Sequence, residues 1–314
     1  MSARRPDPPV EVVSLAEERT KARTAKDFAA SDSLRDRIRA LGWVVTDTAD
    51  GSVLAPAPPF DVAASARDLP VADGPPTRRV TAGLLVDGWP DDLRRCVDAL
   101  LGNGPADLVV LGLDVGDVDG AGRALHDLAA EHPGRVEELH LGGPLGWGAA
   151  RRALLAADPA RVHVLMDTSS VLDGDAITPL VGALDEEGVV GAGWRGALVD
   201  TGDAWRQVTD AGAGEVDVLL GYLMALDRDA ARAADVPHPK ARFYRNADLE
   251  LSLALRAAGG RLVVPADDLP VHQERHRGYH DSDPVMRDRE SKRTYDRLLA
   301  TYRGRDEILA PRRG

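Results

Sequence analysis

Apolar and polar positions follow one another in two registers along the chain. Over residues 11–42, Leu15, Ala22, Ala25, Phe28, Ala29, Leu34, Ile38 and Leu41 recur at helical spacing with charge on the other faces. Ser31 and Asp32 predict a break between two helices, and Gly42 a stop. The next stretch, "WVVTDTADGSVLAP", sets Asp50 and Gly51 between two short β-prone runs, the pattern of a hairpin. Residues 55–77 are rich in Pro, Ala and Asp without a sustained period, which predicts a semi-extended connector. From Arg79 onward short apolar runs alternate with helical patterns: "VTAGLLVDGW" then "PDDLRRCVDALLGN", "ADLVVLGLDVGD" then "VDGAGRALHDLAAEHPG", "VEELHLG" then "WGAARRALLAAD", and then "RVHVLMDTSSV". Units of this length predict an α/β domain whose mostly parallel sheet is flanked by helices on both faces. The expected organisation is a helical hairpin plus β-ribbon over 1–55, a Pro-rich linker over 56–76, and a large domain over 77–314 that ends in a helix.

Composition narrows the classes. The 314 residues, 44% apolar, hold no long uncharged apolar run, which predicts a soluble, cytoplasmic protein of one or two domains. Peripheral association with the inner membrane face stays open, because arginines of the C-terminal helix could meet an anionic headgroup. A formal charge of −12 argues against broad nucleic-acid binding. Cys96 is the single cysteine and falls in an apolar helical phase, so it is expected to pack in the core. The abundance of Ala, Gly, Arg, Asp and Val suits a bacterial, high-GC source.

Ligands of open α/β sheets bind beyond the carboxyl ends of the strands. Acids stand at those ends: Asp87 after the first strand, Asp114 and Asp117 after the second, Asp167 after the fourth. Asp is also a common turn residue, so each taken singly has a structural reading. No G-x-G-x-x-G follows the first strand and no G-x-x-x-x-G-K-[ST] occurs, which excludes the Rossmann and P-loop phosphate cradles. His272, His276 and His280 recur every four residues, but Gly278 and Pro284 argue against one continuous helix presenting them as a zinc site.

Taken in order, "VTAGLLVDGWPDDLRRCVDAL", "ADLVVLGLDVGD", "LGWGAARRALL", "VHVLMDTSSVLDGDAITPLVGAL", "RNADLELSLALRAAGGRLVVP" and "LPVHQERHRG" resemble the successive motifs of family-2 glycosyltransferases of the GT-A fold, over about residues 79–280. The resemblance implies transfer of a sugar from a nucleotide-diphosphate donor to an acceptor hydroxyl, with inversion, by a hexosyl-type transferase. By resemblance Asp248 is the general base, Asp167, Ser169 and His272 hold a divalent metal, Mg²⁺ or Mn²⁺, and Val86, Asp87, Asp114 and Arg151 line the nucleotide-sugar pocket. His276 and His280, with Arg275 and Arg277, are expected in a loop over the diphosphate, and Glu250 to support loops or the acceptor site. The acceptor, whether glycan, lipid-linked or small molecule, is not specified.

The chain departs from the family where an Asp-x-Asp metal motif would stand, since it reads Asp167-Thr168-Ser169. A hydroxyl is a poorer ligand for a hard cation than a carboxylate, so Asp173 or Asp175 could contribute. Leu85 and Gly88 replace the usual proline and asparagine of the first strand. A catalytically inactive scaffold is therefore the competing reading. Asp248 also has a plain structural role available, since a carboxylate in the first turn of a helix stabilises it by roughly 0.3 to 1 kcal/mol. Finally, "RTAKDFAASDSLRDRIRALGWVVTDTADGSVL" resembles the C-terminal tail of bacterial cysteinyl-tRNA synthetases. The catalytic and zinc-binding signatures of that family are absent. The tail implies either tRNA contact or a borrowed module for packing or homodimerisation.

Overall fold

The computed structural model describes residues 7–48 and 51–312, in two compact units that divide between Asp61 and Val62. In the first, helices α1 (Val10–Thr24) and α2 (Phe28–Ala40) precede an antiparallel ribbon of β1 (Trp43–Thr48) and β2 (Gly51–Pro56). The interhelix break falls at Lys26 and Asp27, earlier than the sequence pattern suggests. Lys26 adopts φ 61°, and the Asp27 carboxylate accepts the Ala30 N–H at 3.0 Å, capping α2. Ser31 is instead buried inside α2. Gly42, at φ 77°, ends that helix as its type allows. Asp50, expected in the hairpin turn, lies outside the described residues. Val12, Leu15, Ile38 and Trp43 form this unit's core, while Phe28 and Leu41, which the periodicity assigns to the apolar face, are exposed.

The second unit begins before the expected boundary. The stretch expected as a connector is hydrogen-bonded to the large domain: Ala63 N–H donates to His140 O and Ala72 N–H to Ala156 O, at 2.9 and 2.8 Å. Its Leu69 is buried in that domain's core. The order then runs β3 (Arg78–Val86), α3 (Pro90–Asn103), β4 (Val109–Val115), α4 (Ala121–Glu131), β5 (Val136–Leu141), α5 (Trp147–Ala157), β6 (Ala160–Met166), β7 (Ser170–Leu172), α6 (Ile177–Ala183), β8 (Val189–Gly193) and β9 (Gly196–Val199). It continues through β10 (Val208–Ala211), β11 (Gly214–Val216), β12 (Val218–Leu219), β13 (Leu223–Asp227), α7 (Arg228–Ala233), α8 (Ala247–Ala257), β14 (Arg261–Val264), β15 (Val271–Gln273), α9 (Arg277–His280) and α10 (Pro284–Tyr302).

Eight strands form one sheet in the order β11-β14-β8-β13-β6-β3-β4-β5. The run β6-β3-β4-β5 is parallel, as is β14 beside β8. β13 is antiparallel to both its neighbours, and β11 to β14. Smaller sheets, β10-β9-β12 and β15-β7, flank it. The parallel strands read as nearly continuous apolar runs because both faces are covered.

Side chains still alternate between the two faces. Val80, Ala82, Leu84 and Val86 of β3 pack with α3, α4 and α6. Leu85 joins Leu111, Leu113 and Val115 of β4 and Ala150 and Leu154 of α5 on the other face. This alternation decides which acids at the strand ends can meet.

Candidate active site

β3 and β6 lie side by side, with Leu84 paired to Met166, so Asp87 and Asp167 emerge together at their carboxyl ends. Both line a cavity holding about 660 Å³ of empty space, partly open to solvent. The N-terminus of α5, the Arg242–Tyr244 segment and the loop carrying His276 and Arg277 complete its walls. Asp167 is the most fixed of these groups. Its Oδ1 accepts from the Ser169 N–H at 2.8 Å and from Ser169 Oγ at 2.5 Å, and its Oδ2 lies 3.0 Å from His276 Nε2. Burial alone would raise its pKa, but the contacts to His276 and Ser169 outweigh it and pull the carboxyl down to about 2. Among the described residues no side chain hydrogen-bonds Asp87. Loss of hydration, then the Asp167 charge, push it up to about 6, offset only in part by the Arg151 and His276 charges; because its side chain is open to solvent, water screens part of that effect.

Arg151 lies beneath the two acids. Its guanidinium donates to the Gly83 carbonyl at 2.7 Å and the Met166 carbonyl at 2.8 Å, so it clasps the ends of β3 and β6. Burial pulls it down to about 10, opposed by Asp167 and Asp87. Its buried Nε has no hydrogen-bond partner among the described residues. Across the mouth, Arg277 Nε meets the buried Asp92 carboxylate at 3.4 Å, tying the start of α9 to the start of α3.

Of the residues the sequence pointed to, Asp87, Arg151, Asp167 and Ser169 come together here. Val86 and Asp114 do not, and strand parity is the reason. Val86 turns into the core on the α3 face. Asp114 is buried on the α4 side, where it accepts from the Asp117 N–H at 2.9 Å and meets His140 Nδ1 at 3.1 Å. Gly122 of α4 abuts it so closely that a Cβ there would stand 2.4 Å from Asp114 Oδ2. His272 is also elsewhere. Val271 of β15 is buried, so the next side chain points outward, and His272 meets Asp173 at 2.7 Å on the exposed ribbon. His276, four residues on, is the histidine that meets Asp167.

Asp248 stands in the first turn of α8, after Asn246 at φ 69°. Its Oδ2 accepts the Gly221 N–H at 3.0 Å and its Oδ1 the Leu249 N–H at 2.9 Å. Burial raises its pKa, and those N–H groups oppose the rise. The carboxylate is thereby anchored next to Tyr222, which lines a neighbouring crevice together with Tyr244 and His276. Its helix neighbour Glu250 points the other way, into a bidentate pair with Arg297 of α10 at 2.5 and 2.6 Å.

The residues at the cavity can take an anion and a hard cation. Arg242 and Arg277 offer positive charge at its walls. Asp167 and His276 offer an oxygen and a nitrogen donor side by side; the carboxylate suits a hard cation such as Mg²⁺ or Mn²⁺, and the imidazole favours Mn²⁺ over Mg²⁺. Among the described residues no group of three or more His, Cys, Asp or Glu side chains forms a closed metal cage, so the remaining ligands would be substrate oxygens and water. Trp89, Asp92, Trp147, Arg242 and Phe243 were not anticipated. They sit at helix starts and in a loop, where no periodicity signals a direction.

The family model for glycosyl transferase family 2 matches residues 89–250, just over half of the chain. The chain belongs to glycosyl transferase family 2. Two solved structures share the fold of this glycosyltransferase. GalNAc-T7, solved with UDP, GalNAc and Mn²⁺, superposes with a TM-score of 0.61 at 14% identity, over 73% of this chain and 49% of that one. The mannosyltransferase PcManGT from Pyrobaculum calidifontis, solved with GDP-Man and Mn²⁺, gives 0.51 at 18% identity, over 69% and 64%. Central mixed sheet and flanking helices together make this a GT-A fold.

A different likeness covers the N-terminal segment. The chain is 53% identical over 49 residues to the cysteine–tRNA ligase of Opitutus terrae, and 46% over 54 residues to that of Cereibacter sphaeroides. It spans only about a tenth of the length of those curated relatives, 11% and 10%. No helix among the described residues is long and apolar enough to cross a membrane.

Proposed function

We propose that this glycosyltransferase moves a sugar from a nucleotide-diphosphate donor to an acceptor hydroxyl in a single displacement that inverts the anomeric centre. The observation that carries the reading is the fixed, low-pKa carboxylate of Asp167, paired with His276 in a cavity walled by Arg242 and Arg277, in a chain of this family. Asp167 and His276 would hold a divalent cation, Mg²⁺ or Mn²⁺, whose chemistry is to neutralise charge on a departing diphosphate. Arg242 and Arg277 add cationic stabilisation of the same charge. Arg151 keeps the ends of β3 and β6, and so Asp87 and Asp167, in register.

In this reading Asp248 is the general base. As the acceptor oxygen bonds to the anomeric carbon, that carbon's bond to the diphosphate oxygen breaks, and the hydroxyl proton passes to Asp248. Burial, which raises this carboxyl, makes it a better proton acceptor. The test is a panel of UDP-, GDP- and dTDP-sugars with Mg²⁺ or Mn²⁺, read as thermal shift and nucleotide release. Asp248→Asn should keep the thermal shift and lose turnover by about 10²–10⁴-fold. Unchanged turnover would remove Asp248 from the chemistry.

One observation favours an additional role for the N-terminal unit, namely its likeness to cysteine–tRNA ligases. A mobility-shift titration of the whole chain against a tRNA pool checks whether that unit contacts tRNA.

A further inference from the structure

Three crevices follow one another on the large unit. The cavity above shares Tyr244 and His276 with a second, more open crevice. That one shares Arg245 with a third, more open still. The chain has only five tyrosines, yet Tyr222, Tyr244 and Tyr279 line the second crevice and Tyr295 the third. Aromatic side chains so scarce overall are concentrated along one path.

These rings are held in place. Arg287 lies 4.4 Å and Arg245 5.8 Å from the Tyr279 ring centre. Arg245 also donates to the Tyr279 hydroxyl at 3.2 Å, and Tyr295 Oη donates to the Arg206 carbonyl at 3.2 Å. Between the rings stand the amide and hydroxyl groups of Gln273, Asn246 and Ser291 together with charged side chains, among them Glu274, Arg275, Asp288 and Lys292, all able to hydrogen-bond. Among the described residues no Val, Leu, Ile or Met lines either crevice, which argues against a lipid tail or an apolar helix as the occupant. Flat ring faces bordered by hydrogen-bonding edges match the C–H faces and hydroxyl rims of pyranose rings.

We propose that the path from Tyr244 through Tyr279 to Tyr295 is the acceptor site and that the acceptor is an extended saccharide chain. This rests on the donor reading above. The unit to be modified lies near Tyr222 and Tyr244, beside Asp248, and further units run over Tyr279 and Tyr295. A lone monosaccharide would leave the third crevice unused.

The test uses the whole protein with UDP or GDP and Mn²⁺, titrated with cello-, chito-, malto- and xylo-oligosaccharides from mono- to tetrasaccharide, by calorimetry and saturation-transfer NMR. At least one series should gain about tenfold in affinity with length, the worth of one added aromatic contact. Tyr295→Ala should erase that gain while monosaccharide binding stays, and Tyr295→Phe, which keeps the ring face, should retain it. Tyr295 is half-buried at the rim, so its truncation opens no core. Nucleotide binding without any length-dependent saccharide binding would overturn this inference alone. Length-dependent saccharide binding without any nucleotide binding would sink the donor reading, and the acceptor role with it.

Discussion

Asp167 and His276 join the end of β6 to the loop before α9 through a 3.0 Å contact between Oδ2 and Nε2. His276 is further held by Tyr244, whose ring centre lies 4.4 Å away, and by Tyr222 at 6.1 Å. One imidazole thus touches the Asp167 carboxylate on one side and the tyrosine-lined crevice on the other.

The two histidines of this segment should therefore separate cleanly. His276→Ala should weaken Mn²⁺ binding about 10–100-fold, the usual cost of disturbing a metal shell, while His272→Ala should leave it unchanged, since His272 meets Asp173 on the outer ribbon. Mn²⁺ titration followed by electron paramagnetic resonance checks both. Equal losses would show that the ribbon, rather than the imidazole at Asp167, governs the cation.

Much of the architecture could be read from the pattern, and the misplacements have a common cause. The alternation of apolar runs with helical segments locates β3 to β6 and their helices well, because burial on both faces forces such runs. The strand-end rule also brings Asp87 and Asp167 to one edge of the sheet, and the family resemblance adds Arg151 from α5. What motif order does not carry is parity. Val86 and Asp114 fall on the α3 and α4 side of the sheet, while Leu85 and Asp87 fall on the α5 side. The same period of two turns His272 outward once Val271 is seen to be buried. Loop residues such as Arg242 and Trp89 carry no period, so only the folded chain reveals them.

Arg151 should matter first for stability. Its removal leaves the Gly83 and Met166 carbonyls without their donor and two acids without the charge beneath them. Arg151→Met should destabilise the large unit by about 3–5 kcal/mol, as loss of one partner from a buried charged network does. Urea denaturation monitored by tryptophan fluorescence measures it. A loss under about 1 kcal/mol, typical of a surface pair, would contradict the clasp.

A line of acids and imidazoles behind the second strand end should give the fold a pH dependence. Asp114 meets His140, His140 Nε2 lies 3.0 Å from Glu138, and Glu138 meets His126 at 2.9 Å. Burial, the largest influence on His140, lowers its pKa, but the bonds to Asp114 and Glu138 together leave it raised above 6.5. Glu138 is lowered below 4.5, its imidazole partners overcoming burial. A raised histidine contributes stability that is complete below pH 6.5 and lost as pH rises through its folded pKa. A lowered glutamate contributes above pH 4.5 and loses it as pH falls through its own. The melting temperature should accordingly fall as pH rises above 6.5, and His140→Gln should flatten that part of the profile. An unchanged slope in the variant would dissociate His140 from it.

The α8–α10 pair offers a test of how the proposed base is held. Glu250 is almost fully buried and both its oxygens are taken by Arg297, so Arg297→Ala strands a carboxylate in the core. The expected cost is about 3–5 kcal/mol, partly relieved if Glu250→Gln is added, because a neutral amide is cheaper to bury than an unpaired charge. Asp248 lies in the same helical turn, and its bond to the Gly221 N–H depends on where α8 sits. Turnover should therefore drop in Arg297→Ala at temperatures where the variant is still folded, and recover in part with the second substitution. Thermal melts and donor turnover, measured side by side, would contradict this coupling if stability fell while turnover per folded molecule did not.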